Sequence, residues 1–262
     1  MPKPKSDYSI QTVSNALRLL EAFADAHELG VSELSRRLDL HKNNVFRLLA
    51  TLQQRGYVEQ SEDNDRYRLG PACLELGHAY ARHHTIVRRA RPILEELVRK
   101  VGETAHLASL RDHEVVHLDG VLSDKRVVTS LRVGERLPAH CTALGKVLLA
   151  LGDPRDREAF EQSLASDGGL TAHTEATLAD AARLAVELEK VADAGYALDQ
   201  EECERGMCCV AAPVRDDRGE VVAAISISGP SFRMSRPALE SDLGRAVVAA
   251  ADQLAQELGY GM

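Results

Sequence analysis

The sequence predicts an α+β protein of two units joined by a helix, and three observations predict it. Apolar residues recur at helical spacing through residues 12–52, strand-like runs interleaved with helices fill the chain after residue 100, and the charge changes character near residue 70. The 262 residues suit one large domain or two modest ones, and 44% hydrophobic with 27% charged residues is a globular composition. The expected organisation is a winged helix-turn-helix over residues 1–70, a linker helix over 71–86 and an α+β unit with an antiparallel sheet over 87–262.

Thr12 is the expected N-cap of a first helix whose stripe is Val13, Ala16, Leu17 and Leu20, continued by Phe23 and Ala24. Val31, Leu34 and Leu38 mark a second helix starting near Ser32, and Val45, Leu48, Leu49 and Leu52 mark a third. Only Asp39, Leu40 and His41 separate these two, and Lys42, Asn43, Asn44 and Arg47 gather at the start and outer face of the third. Two short helices joined by so tight a turn form a helix-turn-helix. Gly56 stops the third helix; residues 57–58 and 67–69 then read as a hairpin, with Arg66 and Arg68 on its return strand.

The net charge of −8 argues against a nucleic-acid partner until it is located. Residues 1–70 carry ten basic and ten acidic residues, so all of the −8 lies downstream. Lys3, Lys5, Arg36, Arg37, Lys42, Arg47, Arg66 and Arg68 fall where a small DNA-reading fold could present them together. Asn pairs with adenine edges, and Lys and Arg with guanine or phosphate, so Arg36, Lys42, Asn43, Asn44, Arg47 and Arg66 are the candidate DNA contacts. The acidic hairpin turn, with Glu62, Asp63 and Asp65, limits the wing to backbone contacts. The competing reading is a three-helix packing module whose polar residues are a solvated face.

Pro71 opens a helix to about residue 84, followed by another over 87–101 that begins with Arg88, Arg89 and Arg91, expected to pair with Glu95 and Glu96. Strands are predicted over 104–110, 114–121 and 127–131, then helices over 142–151, 155–164 and 178–194, the last stopped by Gly195. Strands over 207–213 and 221–228 are joined by the turn Asp216, Asp217, Arg218, Gly219. Leu239, Leu243, Ala246, Val247, Ala250, Leu254 and Leu258 give one long closing helix.

No apolar run approaches the roughly 18 residues of a membrane span, and the N-terminus offers no apolar signal segment, so a cytoplasmic protein without a membrane partner is expected. There the five cysteines stay as thiols. His140, Cys141, Cys203, Cys208 and Cys209 raise a metal- or thiol-sensing alternative. Neighbouring strand residues such as Cys208 and Cys209 point to opposite faces, however, and no C-x-x-C pair exists, so neither a metal nor another cofactor is expected. A Cys141 or Cys209 nucleophile with His140 as base is poorly arranged by sequence neighbourhood, and no phosphate loop, paired-carboxylate motif or H-E-x-x-H occurs, so no catalysis is expected.

The segments VSELSRRLDLHKNNVFRLLATLQQRGYVEQ, RYRLGPACLELG, LPAHCTALGKVLLA and GYALDQEECERGMCCVAAPVRDDRGEVVAAISISGP together resemble the IclR family of bacterial transcriptional regulators. The resemblance implies a C-terminal effector-binding domain related to GAF and PAS folds, assembly as a homodimer or homotetramer, and double-stranded operator DNA as partner. It also implies a small organic acid, whether aromatic, keto or sugar acid, held at Ala143, Leu144, Asp199, Cys209, Ser226 and Ser228. Ser226 and Ser228 share one strand face while Ile225 and Ile227 share the other. The helix entered at residues 142–144 brings free amides and a positive dipole end, suited to an anion. The rival reading is a ligand-binding module that does not touch DNA.

Overall fold

Leu19, Phe23, Leu29, Leu34, Leu38, Val45, Leu49, Val58 and Tyr67 close into the core of the first unit. The computed structural model describes residues 9–126, 129–166 and 169–261, and they divide into two units between His83 and His84. Lys3 and Lys5 lie outside the described residues.

In the first unit, helices α1 (Gln11–Glu21), α2 (Val31–Leu38) and α3 (Lys42–Gln54) precede strands β1 (Val58–Gln60) and β2 (Tyr67–Leu69) and helix α4 (Pro71–His83). The expected cap at Thr12 is not made: α1 begins two residues earlier, after an extended Ile10 with no side-chain cap. Its buried face is also rotated, with Leu19 and Phe23 inside and Val13 and Leu17 exposed. Ala16, Leu19, Leu20 and Phe23 obey the same i, i+3, i+4, i+7 rule as the predicted stripe, so periodicity alone leaves both faces open. Between α2 and α3, Asp39 takes a left-handed φ of 53°. The turn is held by the Ser35 hydroxyl donating to the Leu40 carbonyl at 2.6 Å. The wing is present: β1 and β2 pair antiparallel, Val58 opposite Leu69, and Leu29 exchanges two 2.9 Å backbone hydrogen bonds with Tyr67. Helix α4 has no buried residue among those described.

The linker helix assigned to 71–86 ends at His83, near the end at about residue 84 that the apolar pattern predicts. An extended His84 forms the N-cap of α5 (Thr85–Val101), so residues 84–86 belong to the second unit and α4 to the first. Arg91 pairs with Glu95 as expected and also with Asp119, at 2.9 Å.

The second unit is one six-stranded antiparallel sheet between two helical layers. Its strands are β3 (Thr104–Arg111), β4 (Glu114–Val121), β5 (Arg136–Pro138), β6 (Ala197–Gln200), β7 (Met207–Arg215) and β8 (Val221–Pro230), in the order β5-β4-β3-β8-β7-β6. One face packs α6 (Ala143–Leu151), α7 (Pro154–Ser166) and α8 (Ala181–Ala194) through Ala108, Val115, Ala211 and Ala224. The other carries α5 and α10 (Gly244–Glu257). Of the strand expected over 127–131, Val127 and Val128 lie outside the described residues, and Thr129, Ser130 and Leu131 are irregular. The Thr129 hydroxyl is engaged instead with that of Ser228, at 3.2 Å. Strands β5 and β6 were not predicted; at three and four residues they are too short to show alternation. The single closing helix is also corrected: it begins as a short α9 (Arg236–Ala238) and a π turn at Leu239–Leu243 before α10.

Candidate DNA-reading helix and ligand cavity

On α3, Val45 and Leu49 point into the core, which turns Asn43, Phe46, Arg47 and Ala50 outward along one face with Lys42 and Asn44 beside it. His41 fixes the helix start, its Nδ1 accepting the Asn43 amide at 3.3 Å. The side chains of Arg36, Lys42, Asn43, Asn44 and Arg47 make no hydrogen bond or ion pair among the described residues, so their donors are free for a ligand. Phe46, 57% exposed at the centre of this face, was missed by sequence reasoning because an aromatic in an amphipathic helix reads as core. An exposed Phe there suits apolar contact with a thymine methyl.

Arg66 is placed differently. Its Nη2 donates to the Glu33 carboxylate at 2.6 Å and to the Glu28 carbonyl at 2.9 Å, tying the wing to the start of α2. Glu33 also accepts the Gly30 amide at 3.2 Å. That amide, with Arg66 beside it, holds the carboxyl below its usual range. Arg66 therefore positions the wing, and Arg68 is likewise paired, with Glu59.

In the second unit, one cavity of about 490 Å³, including its mouth, is lined by all six residues expected at the effector site: Ala143, Leu144, Asp199, Cys209, Ser226 and Ser228. Register explains the convergence. Ser228 lies opposite Cys209 and Ser226 opposite both Ala211 and His106, while Cys209 lies opposite Asp199, so these side chains share the face turned to α6. Thr142 caps α6, accepting the Gly145 amide at 3.1 Å and donating to the Pro138 carbonyl at 3.1 Å. The amides of Ala143 and Leu144 are without a partner among the described residues. A side chain at Gly145 would strike the Ala139 carbonyl, so glycine lets α6 start this close to the loop before it.

The cavity wall includes residues that sequence reasoning missed: His106, His117, Thr129, Arg132 and Cys203. The two imidazoles meet edge to face at 5.2 Å. Burial drives His106 down to about 3, with His117 adding to the effect, and drives His117 down to about 4, so both are neutral at neutral pH. His106 Nε2 is buried without a hydrogen-bond partner among the described residues, in a side chain that lines the cavity. Arg132 brings positive charge, bound to Glu204 at 2.6 Å. Asp199 accepts the Glu202 amide at 2.8 Å, and burial, then Glu202, push its carboxyl up to about 7. Behind the wall, fully buried Lys146 holds Glu202 at 2.6 Å. His106 shares an alternating face with Thr104 and Ala108, but only the pairing of β3 with β8 reveals that it joins Ser226. Arg132 lies in a loop with no periodic signal.

Cys203 and Cys209 both line the cavity, while Cys208 does not, as strand alternation requires. Burial raises the Cys208 and Cys209 thiols, and Cys141 is raised by Cys203 and by burial, the opposite of an activated nucleophile.

A winged helix-turn-helix with free donors on its second helix, followed by an α+β unit that holds a cavity, defines a DNA-binding transcriptional regulator. The IclR helix-turn-helix domain matches residues 12–62, and the C-terminal domain of the bacterial transcriptional regulator IclR matches residues 78–256. The chain belongs to the IclR family. It is 37% identical to the HTH-type transcriptional regulator XynR of Escherichia coli K12 over 96% of this chain and 98% of that one. Among solved structures it is similar to the transcriptional regulator RHA06195 from Rhodococcus sp. RHA1, with TM-score 0.82, 29% identity and coverage of 95% and 98% of the two chains. It is also similar to an IclR homologue from Microbacterium hydrocarbonoxydans complexed with 4-hydroxybenzoate, with TM-score 0.77, 27% identity and coverage of 94% and 99%. Among the described residues no helix is long and apolar enough to cross a membrane.

Proposed function

We propose that this regulator binds double-stranded operator DNA through α3 and that a small organic acid in the second unit's cavity modulates the binding. The observation that carries the effector reading is the pairing of two unpartnered α6 amides, at Ala143 and Leu144, with the Ser226 and Ser228 hydroxyls across one cavity. Amides at a helix start favour an anion, and the orphan His106 Nε2 and Arg132 add further polar contacts. The 4-hydroxybenzoate held by the Microbacterium relative is an acid of the chemical class proposed.

On DNA, Lys42, Asn43, Asn44 and Arg47 contact base edges and phosphates, Arg36 a flanking phosphate, and Phe46 a thymine methyl. Two such units in a homodimer, or a homotetramer, read two half-sites. The ligand acts by binding two arrangements unequally, and repression or activation follows from which arrangement grips DNA. The protein is read as a cytoplasmic binding protein, with no reaction assigned to its raised, buried thiols.

The test is a thermal-shift screen of the full chain against aromatic, keto and sugar acids, followed by operator-binding anisotropy with the hits. A hit should raise Tm, change DNA affinity, and lose both effects in Ser226→Ala and Ser228→Ala. Hits that survive both substitutions unchanged overturn the site assignment. Failure to bind genomic fragments at modest ionic strength, with or without hits, overturns the DNA reading.

A further inference from the structure

Away from the cavity floor, the loop entering α6 meets the loop preceding α8. Here His140, Cys141 and His173 each present one donor atom, and the three atoms all lie within 4.8 Å of one another. The two imidazoles stack at a tilt, 5.8 Å between centroids. Tetrahedral zinc bonds of roughly 2.0–2.3 Å require donors about 3.5 Å apart, so closing the set takes a movement on the order of 1 Å, within reach of the exposed His173.

A second observation concerns the His140 ring. Its Nε2 lies 3.0 Å from the Thr171 carbonyl, which can only accept, so Nε2 carries the proton and the other nitrogen keeps its lone pair. Metal-binding histidines are oriented by this kind of bond.

We propose that His140, Cys141 and His173 bind a divalent cation of the zinc type, with water in the fourth position. Two imidazoles and one thiol form a donor set that selects zinc over magnesium or calcium. Binding releases the Cys141 thiol proton to solvent as the sulfur becomes a thiolate ligand. Unlike Cys208 and Cys209, which alternate across one strand, these donors come from two loops and include His173.

The cation would pin one wall of the effector cavity. The His173 amide donates to the Thr177 hydroxyl at 3.0 Å, and Thr174 and Thr177 donate to the Glu201 and Glu202 carbonyls at 2.6 Å each. Cys141 directly precedes the cap of α6. One ion would thus join the α6 entrance to the loop before α8, which Thr174 and Thr177 tie to the segment after Asp199. The inference does not depend on the organic-acid reading, since its readout is metal spectroscopy.

The test titrates cobalt(II) into metal-free, reduced full-length protein. One equivalent per chain should produce thiolate-to-cobalt charge transfer and the intense visible bands of tetrahedral cobalt, both bleached by zinc. Cys141→Ser should abolish the charge transfer, since it removes the one thiolate. His173→Gln, at an exposed position that does not endanger folding, should weaken cobalt binding about tenfold or more. Cys208→Ser should change nothing. Only the pale bands of octahedral cobalt, or wild-type titrations of Cys141→Ser or His173→Gln, overturn the site.

Discussion

Asp199, 3% exposed beside Glu202, is pushed up to about 7 by burial first and by Glu202 second. Near neutrality it is a mixture of acid, which can donate to a bound carboxylate, and carboxylate, which repels one. Affinity for an organic acid is therefore expected to fall as pH rises past about 7, approaching tenfold per unit. Asp199→Asn, which keeps the oxygen that accepts the Glu202 amide, should flatten that dependence; calorimetric titration from pH 6 to about 9 reads both. The stability sign follows from the same shift. The folded value lies above the ordinary 3.8, so this group's contribution falls as pH rises from about 4 to about 7. His106 and His117 act in the opposite direction: at about 3 and about 4 they lie below the ordinary 6.5, so stability is lost as pH falls below about 6.5. On the DNA side, Arg47→Ala should weaken operator binding and lower the salt slope by about one. Arg66→Ala should leave the slope unchanged, because its guanidinium is spent on Glu33 and Glu28; anisotropy across a salt series separates the two. Ser226, Ser228 and the α6 entrance were reached through the family resemblance, and strand alternation and helix-end chemistry agree with it. His106, Thr129 and Arg132 were not, because strand pairing and irregular loops bring them to the cavity.

Among the elements, the first turn of α6 depends on two residues with different duties. Thr142→Ala removes the side-chain cap and should cost about 1 kcal/mol. Gly145→Ala drives a methyl group into the Ala139 backbone and should cost about 1–3 kcal/mol or more, while also shifting the Ala143 and Leu144 amides. Urea denaturation of the two variants should therefore rank glycine above threonine, and the reverse order would show that the loop yields freely. Long periodic helices such as α3 and α10 were readable in the sequence. The failures were local: β5 and β6 are too short to alternate, α1 turns its second possible stripe inward, and the π turn at Leu239–Leu243 keeps the apolar spacing of an ordinary helix.

For the whole molecule, the outward residues of the first unit matter most. Ile10, Val13 and Leu17 form an exposed stripe on α1, and Leu74 and Leu76 stand out from α4 at 62% and 57% exposure. Apolar area of this kind is expected to be covered by a second copy. Leu17→Glu together with Leu76→Glu should yield monomers in sedimentation and weaken operator binding by far more than either half-site contact alone; an unchanged sedimentation coefficient would move the symmetric contact elsewhere. Helix α4 carries a further consequence. It has 13 residues and none of them is buried within its own chain, and a helix of about that length is marginal in water by itself. If the homodimer proposed above covers this helix, its winding depends on how many sister molecules are at hand, and limited proteolysis at low protein concentration should cut first within residues 71–83.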